Sequence, residues 1–266
     1  MSVAPLTWLY VPGDRPERFA KAAGSGADVV IIDLEDAVAA ERKAEALANA
    51  LAYLAAREGG PAVHVRVNDP ATERGRADVA ALAGAGADGL RVPKVESPRA
   101  LDLPGETPLY ALVESAAGVL AAPAIAAHPR VAGIALGEQD LAAELSITAE
   151  SALDHLRLQV ILAAAAAGLP PVPMSVYPHV RDEEGLLASC VRGRSIGLYG
   201  RAAIHPAQLP VICRAFRPSA EEVARAREIV EAAGRGAVAL ADGRFVDAPV
   251  VARARRVLDL AGEEAP

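Results

Sequence analysis

The stretch Val29–Val38 reads VVIIDLEDAV: four β-branched apolar residues, then Asp33, Glu35 and Asp36 within four positions. β-Branched residues favour strands. A run without polar alternation suits a strand covered on both faces, as in a parallel sheet. Carboxylates at the end of such a strand are costly unless paired or metal-bound. The meaning of the stretch therefore depends on where strand ends lie in the fold.

Seven further apolar runs repeat the pattern. They are TWLYVPG from Thr7, AVHVRVN from Ala62, GLRVPKV from Gly89, LYALVES from Leu109, VAGIALG from Val131, PVPMSV from Pro171 and GLYGRAAIHP from Gly197. Ala-rich helical stretches such as AVAAERKAEALANALAYLAAR and ESALDHLRLQVILAAAAAG separate most of them. Strands alternating with helices point to parallel strands joined by crossover helices. Eight such units predict a TIM (β/α)8 barrel over residues 1–217. The run at Pro171 is the weakest strand, because Pro171 and Pro173 have no N–H to give a ladder. A doubly wound open sheet is the alternative, but no G-x-G-x-x-G follows the first strand and no Walker lysine loop is present.

Residues 218–266 read as an extension beyond the barrel. Ser219 and Glu222 form a capping-box pattern, S-A-E-E, that opens a helix. Gly234-Arg235-Gly236 stops it, a hairpin turns at Asp242-Gly243, and a last helix starts near Ala248. A helix–hairpin–helix tail suits a lid or a subunit contact.

Composition narrows the function. With 266 residues and 52% hydrophobic content, the chain supports a large core. A net charge of −7 argues against a nucleic-acid or anionic-membrane partner. An anionic substrate would then need a local cation or a metal. Cys190 and Cys213 read as small buried hydrophobes rather than a disulfide or metal pair. The N-terminus lacks a signal-peptide pattern and no apolar stretch is long enough to span a bilayer, so a cytoplasmic protein is expected.

In TIM barrels the active site lies at the carboxyl ends of the strands. Those ends carry Asp33, Glu35 and Asp36; Arg66 and Asn68; Lys94; Glu114; Glu138 and Asp140; and His205. Carboxylates from separate strands suit a hard divalent cation, since Mg²⁺ takes one or two carboxylates and keeps positions for water and substrate oxygens. Arg66 would grip a carboxylate or an oxyanion. Structural roles compete at each position. Asp36 would cap a helix near Ala37, Arg66 would pair with a neighbouring acid, and Glu114 and Asp140 would pair with Arg66 and Lys94. His205, before Pro206, reads more readily as a hydrogen-bonded structural histidine.

The segments LYVPGDRPERFAKA, DVVIIDLEDAV, VRVN, VPKVES, ALVESAAGV, GIALGEQDL, AIHPAQL and FVDAPVVARA occur in this order over nearly the whole chain. Together they resemble the citrate lyase β-subunit-like (CitE-like) family of the HpcH/HpaI aldolase superfamily. The resemblance implies a TIM barrel with a C-terminal lid, a homotrimer, Mg²⁺, and cleavage of a C–C bond in a 3-hydroxyacyl-CoA thioester. The products would be acetyl-CoA or another acyl-CoA and a small oxo acid. It implies Glu114 and Asp140 as metal ligands and Arg66 as a substrate-binding and catalytic arginine. Lys94, with Glu114, would border the substrate, and Asp33, Glu35 and Asp36 would surround the metal. Asp247 would be a proton-transfer acid on the lid, delivered into a neighbouring subunit's site. Met174 departs from the pattern, standing where relatives commonly carry an acid in the seventh run. Two other functions are compatible: the β-subunit of a multi-protein citrate lyase, and a non-catalytic barrel that binds oxo acids or acyl-CoA.

Overall fold

The computed structural model describes residues 4–234, 239, 243 and 245–262. They divide into two compact units, Pro5–Ala215 and the segment from Phe216 onward. The first unit carries seven parallel strands: β1 Thr7–Pro12, β2 Val29–Asp33, β3 Ala62–Arg66, β4 Gly89–Val92, β5 Leu109–Val113, β6 Val131–Leu136 and β7 Arg201–Ala203. Their order is β6-β5-β4-β3-β2-β1-β7, so every neighbour but one follows in sequence and the sheet curls in one direction. This is the strand order of a TIM-like fold, with helices α1 Phe19–Ala23, α2 Lys43–Ala56, α3 Glu73–Leu82, α4 Ala116–Ala126, α5 Glu138–Glu144, α6 Glu150–Ala166, α7 Glu183–Ser195 and α8 Leu209–Phe216 between and after the strands.

The opening stretch is the centre of this sheet. β2 is buried throughout, with Val30, Ile31 and Ile32 fully excluded from solvent. Burying each such side chain stabilises the fold by roughly 1.5–3 kcal/mol before entropy is counted. The ladder with β3 runs from Val29 opposite Ala62 to Asp33 opposite Arg66, which sets an acid and a base side by side at the strand ends.

The seventh apolar run is not a strand, contrary to the eight-strand expectation. Of residues 171–176 only Met174 forms a bridge, to Arg201. The Met174 N–H donates to the Gly200 carbonyl at 3.0 Å and its carbonyl accepts from the Ala202 N–H at 3.0 Å. Prolines 171 and 173, both just before it, have no N–H to start a ladder. The segment therefore flanks β7. A cavity of about 150 Å³ separates it from β6, lined by Ala132, Gly133, Pro170, Pro171 and Pro173 among others.

Polar and aromatic side chains, among them Tyr10, His64, Arg66, Arg91 and Tyr110, line the cavities of the curled sheet. Tyr110 on β5 wedges between two glycines. A Cβ at Gly89 would lie 2.5 Å from its ring, and one at Gly133 would lie 2.8 Å away. The ring also stacks on buried His64, with centroids 4.3 Å apart.

In the second unit, α9 Ala220–Gly234 packs on α10 Ala248–Ala261 through Val223, Ala226, Val230, Ala254 and Leu258. The capping box opening α9 is present: Ser219 Oγ accepts from the Glu222 N–H at 3.1 Å, and Glu222 Oε2 accepts from the Ser219 N–H at 2.8 Å. Between the helices Ala239 bridges Phe245 in antiparallel fashion and Gly243 has φ 83°, while the remainder of the expected hairpin lies outside the described residues. Cys190 is buried and Cys213 half-buried, and neither forms a disulfide. No helix among the described residues is long and apolar enough to cross a membrane.

Candidate active site

Strand ends and the loops after them enclose a cavity of about 380 Å³. Asp33, Asp36, Arg66, Glu114 and Asp140 all line it. Lys94 and Glu35 stand beside it. The Lys94 N–H donates to Glu114 Oε2 at 3.0 Å, and its Nζ lies 3.9 Å from Glu35 Oε1. Lys94 holds a left-handed backbone, φ 54°, a conformation that costs energy for a residue with a side chain. Its reward here is an amide aimed at a carboxylate.

Arg66 is the hub of the three opening acids. Its Nε and Nη2 donate to the two oxygens of Asp33 at 2.7 and 2.6 Å, a bidentate fork. Its Nη1 is 3.0 Å from both Glu35 and Asp36. Burial alone would lower the Arg66 pKa, but the hydrogen bonds and charge of Asp33 raise it. Asp33 also performs the capping expected of Asp36. Its oxygens accept from the Glu35 and Ala37 amides at 2.9 and 3.2 Å. No helix starts near Ala37: a 3₁₀ turn at Ala40–Arg42 leads into α2. Asp36 is exposed and free of that duty, with its side chain turned to Arg66.

Two carboxyls here resist ionisation. Burial pushes Glu35 up to about 8, with Asp36, Glu114 and Asp33 adding repulsion against the pull of Arg66. Burial pushes Glu114 up to about 7, with Asp140 and Asp36 repelling and the Lys94 amide and Arg66 opposing. Glu114 packs against Gly137, where a Cβ would meet its Cγ at 2.4 Å. Asp140 sits in the first turn of α5, and that helix is pinned from below. Buried Glu138 takes a bidentate pair from Arg157, at 2.9 and 2.6 Å, and Arg157 also binds Glu150 and Asp154.

The pinning gives Glu138 a structural role. Asn68 is likewise structural, donating to Asp78 at 2.6 Å and accepting from Lys43 at 2.5 Å. His205 Nδ1 accepts from the Ala207 N–H at 3.1 Å and caps a turn, as its place before a proline suggests. Asp247 belongs to the second unit, where it is the N-cap of α10 and accepts from the Val250 N–H at 3.0 Å. Among the described residues no group of three Asp, Glu, His or Cys side chains is arranged to hold a metal by itself. Glu114 and Asp140 line one cavity, and two carboxylates that leave positions for water and ligand oxygens would fit Mg²⁺.

Strand ends alone did not reveal Arg91 or Tyr10. Both lie deeper on inward positions of the sheet and line the same cavity. The signal was a lone arginine inside the apolar run GLRVPKV.

Residues 6–206 match the profile of the family described as HpcH/HpaI aldolase/citrate lyase. The chain is 42% identical over 266 residues to the (3S)-malyl-CoA thioesterase of Cereibacter sphaeroides, covering 94% of this chain and 92% of that protein. It is 38% identical over 266 residues to the citrate lyase subunit beta-like protein of Mycobacterium tuberculosis, covering 96% and 95%. The crystal structure of CitE from Mycobacterium tuberculosis, in complex with magnesium, acetoacetate and coenzyme A, matches with a TM-score of 0.85 and 35% identity, over 98% of this chain and 99% of that one.

Proposed function

Because the chain belongs to the HpcH/HpaI aldolase/citrate lyase family, we propose that it is an Mg²⁺-dependent carbon–carbon lyase acting on a 3-hydroxyacyl-CoA thioester. The products are acetyl-CoA, or another acyl-CoA, and an oxo acid. The observation that carries this reading is Glu114 and Asp140 facing one cavity beside Arg66. A carboxyl held near 7 by burial and by a second acid gains from a cation at that place.

Glu114 and Asp140 would hold the metal. When bound, Mg²⁺ supplies Lewis-acid polarisation of the oxo acid's oxygens. The chain's own groups do the rest. The Asp33 fork fixes the Arg66 plane, so only the Nη1 edge is left to meet a substrate oxygen in exchange for Asp36. In the cleavage direction the C3 hydroxyl loses its proton, the C2–C3 bond breaks, and its electron pair becomes the thioester enolate. Arg66 stabilises that negative charge, and the enolate carbon takes a proton to give the acyl-CoA. Asp247 is the group proposed to exchange the proton, reaching a neighbouring subunit's site in a homotrimer. Lys94 tempers the acidic rim.

The 42% identity to a protein named (3S)-malyl-CoA thioesterase favours a second reading, hydrolysis of the thioester itself. One experiment decides. The purified chain is given malyl-, citramalyl- and hydroxymethylglutaryl-CoA with Mg²⁺, and products are read by mass spectrometry. Acetyl-CoA with an oxo acid, abolished by EDTA and restored by Mg²⁺, is the expected result. Free CoA with an intact hydroxy acid would replace the lyase by a thioesterase. Turnover only with added companion proteins would favour a citrate lyase subunit.

A further inference from the structure

Arg91 is a buried cation without a carboxylate. Its residue is 3% exposed, its Nε has no hydrogen-bond partner, and no ion pair reaches it among the described residues. Its guanidinium instead lies between aromatic faces, 5.9 Å from the Trp8 ring centroid and 5.7 Å from that of Tyr110. The Tyr10 phenol is its one hydrogen-bonding neighbour of note among the described residues, uncharged at neutral pH, and the ring of Tyr10 carries Arg66 at 5.2 Å. Burial lowers the Arg91 pKa, and the nearby Arg66 charge adds to that. A buried charge without a counter-charge is costly. Such a cost persists where a bound anion removes it.

The surroundings say which anion. Arg91 lines the floor of the cavity that holds Glu114 and Asp140 at its mouth. The rest of the floor is small or apolar: Leu112, Ala135, Met174 and Ala202. In register Arg91 lies opposite Tyr110, four residues before Glu114, roughly 13 Å along the strand. An arginine side chain, a carboxylate-bound metal and a four-carbon acid together span that gap. Met174 contributes no competing charge at this depth.

We propose that Arg91, with Tyr10, anchors a second carboxylate on the oxo-acid half of the substrate, so that the chain acts on thioesters yielding an oxo diacid rather than a methyl-bearing oxo acid. This rests on the function proposed above for the same cavity. Citryl-CoA and citramalyl-CoA are the matched probes, because they differ only in a carboxymethyl group against a methyl at the carbinol carbon. A site built to pair a polar group rejects the analogue lacking it, since its own buried group is then left unpaired.

Two measurements on the full chain with Mg²⁺ test this. The first is calorimetric binding of freshly dissolved oxaloacetate and of pyruvate. The wild-type chain is expected to bind oxaloacetate at least about tenfold more tightly, and Arg91→Met to lose that difference while keeping pyruvate affinity. Arg91→Lys keeps the charge without the fork and should retain part of the preference. Removing an unpaired buried cation should leave the melting temperature unchanged or raised in Arg91→Met. Equal binding by wild type, or a preference that survives in Arg91→Met, overturns the assignment. So does a lower melting temperature with the preference intact, which marks a structural residue. The second measurement is turnover of the two thioesters, where kcat/KM should favour citryl-CoA and the ratio should collapse in Arg91→Met. If neither these two thioesters nor malyl- or hydroxymethylglutaryl-CoA is cleaved while the Arg91-dependent binding preference holds, the lyase reading fails and the anion anchor stands.

Discussion

Glu35 and Glu114 make proton binding part of the fold. Their ordinary value is 4.5, and in the folded chain they reach about 8 and about 7. Between those values the folded chain holds protons that the unfolded chain has lost, so the stability of the metal-free protein falls as pH rises from about 4.5 to 8. Calorimetric melting without metal should show this decline, and Glu35→Gln should flatten it and raise the melting temperature at pH 8. An unchanged slope in Glu35→Gln would show that its carboxyl is ionised like an exposed one. With Glu114 as the proposed ligand, its proton would compete with metal. Mg²⁺ affinity, measured by titration calorimetry, should rise about tenfold per pH unit below pH 7 and level off above it. Glu114→Gln should abolish that dependence along with most of the affinity.

The elements show how position becomes chemistry. Gly137, at the end of β6, leaves the space that the Glu114 side chain occupies. Gly137→Ala should displace the carboxylate and weaken Mg²⁺ binding about tenfold or more, with a smaller effect on melting temperature. Equal affinity with a lower melting temperature would assign Gly137 to packing alone. The strands were legible because their apolar runs are continuous, and a pairing of Arg66 with some neighbouring acid was open from its strand end; that the acid is Asp33 follows only from the register. Three features were hidden. The Pro171 run looks like a strand by composition, and although its prolines mark it as the weakest, only the structure shows it reduced to one bridge, at Met174. Asp33, not Asp36, holds the turn amides, because a side chain's direction after a strand end depends on the turn geometry. Arg91 escaped notice because a strand-end search passes over mid-strand residues, and only the inward register exposes its surroundings.

At the scale of the whole molecule, the proposed chemistry gives Asp247 a second duty. It is already the N-cap of α10, a duty that asparagine performs about as well. Asp247→Asn should therefore fold and assemble normally yet lose a factor of about 10² or more in kcat, whereas a residue that only caps would leave kcat unchanged. Mixing Asp247→Asn chains with Arg66→Ala chains should restore activity if the acid serves a neighbouring subunit, and proven mixed oligomers without rescue would place it elsewhere. The Tyr110 ring wedged between Gly89 and Gly133 carries a different consequence, for descent rather than chemistry. Three adjacent strands are tied at one point, so none of these positions drifts freely. A side chain at either glycine collides with the ring, and loss of the ring opens a void over His64. Across divergent lineages the three positions should change as a set, with a smaller residue at 110 preceding any side chain at 89 or 133, because neighbours that share one space have non-additive substitutions.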